Sequence, residues 1–246
     1  MKAVILAAGL GTRIRSVHGE CPKCLIPVGN QTILDHQLEA LSMAGIDEVA
    51  IVIGYEKDQI INHVGSRYDH VGLMINFIEN RVFASTNNIY SLWCARKWIG
   101  NDSFVCLNAD VLFEPEILES ALQGSAQISM IVDPEWRDET MKVIISGDRV
   151  IRMSKKVSRD EFNGTYIGIT TFRKPTLKRF FSKMHDFICS GRVNEFFNAA
   201  VQELADEGVG VGFTSTAGLA WAEIDDPMDL SFAQQNVFPQ LTAVAA

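Results

Sequence analysis

The chain has 246 residues, with 22 lysines and arginines against 30 aspartates and glutamates, a formal net charge of −8 with histidine neutral. A chain of this length buries roughly three quarters of its unfolded surface, so a large core forms without disulfide or metal staples, and 47% hydrophobic with 21% charged residues argues against a disordered or fibrous chain. The acidic balance argues against a general nucleic-acid binder but leaves room for a local basic pocket.

The apolar run of residues 3–8 reads as a buried strand. It stops at Gly9, too early for a signal-peptide core, and no apolar stretch approaches the roughly 18 residues of a membrane span, so no membrane partner is expected. Leu34, Leu38 and Leu41 fall on one helix face, with Gly45 placed to end that helix in a left-handed conformation, and residues 48–55 form a second strand. A helix over 57–68 with Ile60, Ile61 and Val64 inward, a strand over 73–78, a helix over 88–99 and a strand over 104–107 complete a doubly wound α/β half, about residues 1–125. From about 126 the pattern turns to short strands at 128–132, 142–145, 150–153 and 166–172, followed by helices near 175–189 and 194–207. The expectation is a single domain over 1–246 with a mixed, mostly parallel sheet, its second half (about 126–246) a small β-rich acceptor or lid region.

Gly9 and Gly11 after the first strand let backbone N–H groups converge on an anion, and Arg13 and Lys23 supply full positive charges for a triphosphate. A dinucleotide fingerprint needs glycine at position 14, which is Ile14, and no Walker Gly-Lys-Ser/Thr is present. Cys21 and Cys24 are spaced as C-x-x-C, but no second pair completes a metal site, and the five cysteines follow no disulfide-scaffold spacing. Reduced thiols and a cytoplasmic location are the expectation. Asp110 and Asp225 each follow a short apolar strand, and Mg²⁺ favours such oxygen ligands together with phosphate oxygens. Asp226, just before Pro227, suits the cap of the last helix.

Leu6-Ala7-Ala8-Gly9-Leu10-Gly11-Thr12-Arg13 with Pro22-Lys23, then Asn108-Ala109-Asp110, then Glu223-Ile224-Asp225-Asp226-Pro227 together resemble the nucleotidyltransferase family that includes sugar-1-phosphate nucleotidyltransferases and small cytidylyltransferases. The resemblance runs across nearly the whole chain. It implies a Rossmann-like nucleotidyltransferase fold, an NTP bound by Leu6, Ala7, Ala8, Gly9, Gly11, Thr12 and Arg13, Lys23 on the phosphates, Mg²⁺ held by Asp110 and Asp225, and Arg13, Lys23 and Asp110 as the catalytic set. The sugar branch usually carries Glu-Lys-Pro in its acceptor half, whereas this chain reads Met153-Ser154-Lys155-Lys156. Asn87-Asn88-Ile89-Tyr90-Ser91-Leu92 is similar to a stretch of the phosphocholine and phosphonate cytidylyltransferases, as are Met141-Lys142-Val143, the Lys155-Lys156 pair and residues 164–169.

The expected reaction is therefore CMP transfer from CTP to a small acceptor such as phosphocholine or an aminoalkylphosphonate, with release of pyrophosphate. The rivals are a sugar-1-phosphate nucleotidyltransferase using UTP or dTTP and a non-catalytic nucleotide-binding regulatory protein. A homodimer is left open. Asn88 either reads the cytosine edge or caps its helix, and Asn87 is read as a cap. Lys142 and Lys156 either neutralise an acceptor phosphate or are solvated surface lysines. Trp136, Tyr166 and Trp221 either box a quaternary ammonium or pack in the core, and Tyr166 and Trp221 join the lysines as candidate acceptor contacts.

Overall fold

Lys2 to Ala7 alternate their side chains between two apolar faces, and that alternation builds a three-layer molecule. In the computed structural model, which describes residues 1–65, 67–68 and 72–243, β1 (Lys2–Ala7) points Ala3, Ile5 and Ala7 into one core and Val4 and Ala8 beyond it into the other. A short helix α1 (Arg15–His18), a 3₁₀ turn (Lys23–Leu25) and the two-residue strands β2 (Pro27–Val28) and β3 (Gln31–Thr32) lead to α2 (Ile33–Met43). Thr32 and Asp35 cap α2 reciprocally. Leu34, Leu38 and Leu41 are fully buried on its inner face, and Gly45, at φ +71°, turns the chain out of it.

Strands β4 (Glu48–Ile53), β5 (Met74–Glu79) and β6 (Phe104–Asn108) flank β1 in parallel, in the order β6-β1-β4-β5. Helix α3 (Lys57–Val64) is shorter than the predicted span to 68; position 66 lies outside the described residues. Helix α4 (Asn88–Ile99) has the predicted bounds. The chain continues through β7 (Val111–Phe113), α5 (Pro115–Gln123), β8 (Ile128–Asp133), β9 (Lys142–Ser146), β10 (Arg149–Ser154) and β11 (Gly164–Phe172). It ends in α6 (Leu177–Cys189), α7 (Phe197–Asp206), β12 (Val211–Ser215), β13 (Trp221–Glu223), α8 (Pro227–Phe232), a π-helical turn (Ala233–Val237) and α9 (Phe238–Ala243).

The second-half strands extend the first-half sheet. β11 runs antiparallel to β6 along its C-terminal part and to β9 along its start, while β8 pairs with its other side and β12 runs parallel to β8. Among the described residues this makes one nine-stranded sheet, with β7 and β13 as a separate antiparallel pair. α2, α3 and α5 cover one face and α4, α6 and α7 the other. The helix expected from 194 begins at Phe197, whose N–H donates to Asn88 Oδ1 on α4 at 2.9 Å. A third cluster, with Ile14, Ile26, Leu112, Ala222, Ile224, Leu230 and Val237, packs α8 against β7 and β13. No helix among the described residues is long and apolar enough to cross a membrane.

Candidate active site

At the C-terminal ends of β1 and β6 the polypeptide must turn away from the sheet, and a cavity of about 420 Å³ opens there. Leu6, Ala7, Ala8, Gly9, Gly11, Thr12, Arg13, Lys23, Asn88, Asp110 and Asp225, all singled out in the sequence, line it. Gly11 adopts φ +58°, which favours glycine, and a Cβ there would stand 3.5 Å from Lys23 Cβ. A Cβ on Gly9 would meet nothing within 4 Å, so that stretch of backbone borders open space.

Lys23 projects from the 3₁₀ turn that follows Pro22. Its Nζ donates to Asp110 Oδ2 at 2.8 Å and also to Asp225 Oδ1. Burial works to lower the pKa of Lys23, but the charges and hydrogen bonds of the two aspartates outweigh it and raise it, so the ammonium stays charged. Arg13 donates to Asp225 Oδ2 at 2.5 Å and to Glu139 Oε2 at 3.3 Å, which brings the loop after β8 against the glycine loop. Burial would raise the Asp225 carboxyl, yet Lys23 and Arg13 hold it below the usual carboxylate range.

Two local devices position the aspartates. Gln37, buried on α2, donates to the carbonyls of Asn108 and Val111, both at 2.8 Å, and so braces the turn that carries Asp110. Asp226 and Asp229 form a capping box at the start of α8, and Asp229 Oδ2 also accepts the Asp225 N–H at 2.9 Å. The cap expected at Asp226 is therefore present, and it fixes the backbone next to Asp225.

Glu223 is a site residue that the sequence reading missed. It ends β13 two residues before Asp225, both line the cavity, and an extended chain from Trp221 to Asp225 read at period 2 is the signal that would have found it. Asp110, Glu223 and Asp225 each offer an oxygen within 4.8 Å of the others. Burial, then the charges of Asp110 and Asp225, push the Glu223 carboxyl up to about 8 against the opposing pull of Lys23. Asp110 Oδ1 is buried without a hydrogen-bond partner. A buried orphaned carboxylate oxygen beside two further carboxylates is a hard-oxygen donor set, and it fits Mg²⁺.

The acceptor-side assignments are redistributed. Asn87 caps α4 through Asn88 N–H, and Asn88 lines the cavity with its amide oxygen committed to Phe197. Lys155, rather than Lys156, lines the cavity, beside Phe196. Lys142 is outside the lining and only 2% exposed, its Nζ bonded to the Thr140 carbonyl at 3.1 Å and 4.7 Å from the Trp136 ring centre. Burial lowers its pKa, against the opposing charge of Asp138 and with a smaller push from Lys155. Tyr166 is buried beside β6 and accepts from Thr170 Oγ1 at 2.9 Å. Trp221 is 2% exposed, donates to Asp133 Oδ2 at 2.8 Å and lies under Arg137. Neither ring lines the cavity, because residues on the inner faces of β11 and β13 are covered by neighbouring elements. Cys24 of the C-x-x-C pair is buried in the core, and burial pushes its thiol up, away from a reactive thiolate.

Sheet order, glycine loop and carboxylate cluster together define a nucleotide-binding α/β transferase. A family model for the MobA-like NTP transferase domain matches residues 3–167, and the chain belongs to that nucleotidyltransferase family. It is 28% identical over 191 residues to the CTP:phosphoglutamine cytidylyltransferase of Campylobacter jejuni, covering 70% of this chain and 73% of that one. It is 31% identical over 197 residues to the D-glycero-alpha-D-manno-heptose 1-phosphate guanylyltransferase of Aneurinibacillus thermoaerophilus, covering 76% and 84%. The solved inositol-1-phosphate CTP transferase of T. maritima superposes with a TM-score of 0.80 over 96% of this chain and 97% of that one, at 22% identity, a likeness of fold.

Proposed function

We propose that this enzyme transfers CMP from CTP to a small phosphate or phosphonate acceptor and releases pyrophosphate. The observation that carries the reading is the Lys23 ammonium held between Asp110 and Asp225 at the rim of the glycine loop. The choice of CTP rests on the stretch from Asn87 to Leu92 and on the cytidylyltransferase relative.

In this reading the backbone N–H groups of the loop from Gly9 to Arg13 bind the triphosphate, with Arg13 and Lys23 as its charged partners. Asp110 and Asp225, with Glu223 beside them, would hold Mg²⁺, which supplies charge neutralisation at the phosphates when bound. The acceptor oxygen is anionic near neutral pH, so attack on the α-phosphorus requires no protein nucleophile or general base. Lys23 and Arg13 stabilise charge on the α-phosphate and the leaving pyrophosphate, and the loop aligns the reactants.

Pyrophosphate release measured over four NTPs against phosphocholine, 2-aminoethylphosphonate, phosphorylated amino acids, glycerol phosphates and hexose 1-phosphates tests it. Turnover with CTP and a phosphate or phosphonate acceptor is expected. Activity confined to sugar 1-phosphates would replace this reading with the one the guanylyltransferase relative suggests, and no release with any pair would leave a nucleotide-binding protein.

A further inference from the structure

The Asp110 side chain is not held in place by partners of its own. Its Oδ2 accepts from Lys23 at 2.8 Å, and its Oδ1 is buried with no hydrogen-bond partner. In the proposed reaction Lys23 serves the triphosphate as well, so the direction of this carboxylate depends on the backbone that carries it. That backbone is the turn from Asn108 to Val111, between β6 and β7.

Three separate elements grip the turn. From α2, Gln37 Nε2 donates to the Asn108 and Val111 carbonyls, both at 2.8 Å, and so bridges its two ends. Two acceptors on that side fix the orientation of the amide, because its oxygen turned there would face two carbonyls. The amide oxygen is left buried without a partner on a residue only 1% exposed. A buried amide with one unsatisfied end, on a helix face otherwise built of Leu34, Leu38 and Leu41, is poor packing and a good brace. From the chain just past β13, Ile224 N–H donates to the Asp110 carbonyl at 2.9 Å. Ile224 stands between Glu223 and Asp225, so this one bond ties the backbones of all three carboxylates together.

From β11 comes Gly168, in the motif over 164–169 that the nucleotide loop does not explain. It adopts φ +92° where the register of β11 on β8 shifts between Tyr166 and Thr170. A Cβ there would stand 2.8 Å from Val111 Cγ2 and 3.0 Å from Asn108 Nδ2. Only glycine lets β11 close on both ends of the turn in that conformation.

We propose that Gln37 and Gly168 are positioning residues for the metal site, holding the 108–111 turn so that the Asp110 carboxylate stays within reach of Glu223 and Asp225 before substrate enters. The inference rests on the proposed metal position at these three carboxylates.

Mn²⁺ binding to the nucleotide-free enzyme, read from loss of the free-ion electron paramagnetic resonance signal, tests it beside urea unfolding. Gln37→Met and Gly168→Ala are each expected to weaken Mn²⁺ binding about tenfold or more, and to raise the Mg²⁺ needed for half-maximal pyrophosphate release by a similar factor. Gln37→Asn, whose amide is one carbon short, falls between Gln37→Met and the wild type. Leu38→Ala opens a cavity on the same helix, so it lowers the urea midpoint while Mn²⁺ affinity stays at the wild-type value. Wild-type Mn²⁺ affinity in Gln37→Met, or a loss no larger than in Leu38→Ala, overturns the proposal. Absence of Mn²⁺ binding by the wild type also overturns it, and pyrophosphate release by that same enzyme would leave nucleotidyl transfer standing.

Discussion

In the cavity lining Lys23 and Arg13 lie against the carboxylates of Asp110 and Asp225 and Lys155 lies by the ring of Phe196, whereas outside the lining Lys142 and Arg159 lie against Trp136. A cation paired with a carboxylate has most of its field cancelled, and it regains that field when a metal ion takes the carboxylate. A cation on a ring keeps its net charge, and here carboxylates still act on it, Asp138 on Lys142 and Glu223 with Lys155. The first arrangement would suit a site that fills with Mg²⁺ and triphosphate together, and the second leaves Lys155 as a cation of the lining outside that cluster.

The largest expected effect breaks the nucleotide side. Lys23→Ala and Asp110→Asn each lower steady-state pyrophosphate release by about a thousandfold or more, with circular dichroism unchanged. Near-normal turnover by either variant would remove that residue from the mechanism. Glu223→Gln is next: kcat falls about ten- to a hundredfold, and half-maximal activity needs more divalent cation. An unchanged cation requirement would confine the metal site to the two aspartates.

The acceptor side is sharpened by Trp221→Phe. Losing the hydrogen bond to Asp133 inside the core costs about 1.5–3 kcal/mol in urea unfolding, while the acceptor KM stays unchanged. A raised KM at unchanged stability would instead make Trp221 a substrate contact. The smallest effect falls outside the cavity lining, at Asp35 on α2. Burial would push its carboxyl up, but hydrogen bonds from Tyr68, Thr32 and His63 hold it below the ordinary range. Its contribution to stability is therefore complete above the unfolded-state pKa and is lost as pH falls through the lower folded value. Thermal melts are expected to drop as pH falls below about 4, and Asp35→Asn makes that acid slope shallower.

Much of this contrast was legible on one side only. The glycine loop, Lys23, Asp110 and Asp225 all line the cavity, since each sits at a strand end or in a tight turn whose local sequence fixes its place. Helix α4 and the caps at Asn87 and Asp226 were equally local. Of the Lys155-Lys156 pair the acceptor contact was assigned to Lys156, whereas Lys155 lines the cavity, because one position along an irregular turn changes the direction of a side chain.

By itself the sequence determined the apolar periodicities, the loop able to gather amides on an anion, and the order in which strand ends deliver charge, because these depend on residues close together in the chain. Only the tertiary structure decided that the late strands join the early sheet, that Glu223 meets Asp110 across the β7 and β13 pairing, and that Tyr166 and Trp221 are covered while Lys155 faces the cavity. Burial and net field are sums over groups far apart in sequence, and no local pattern contains them.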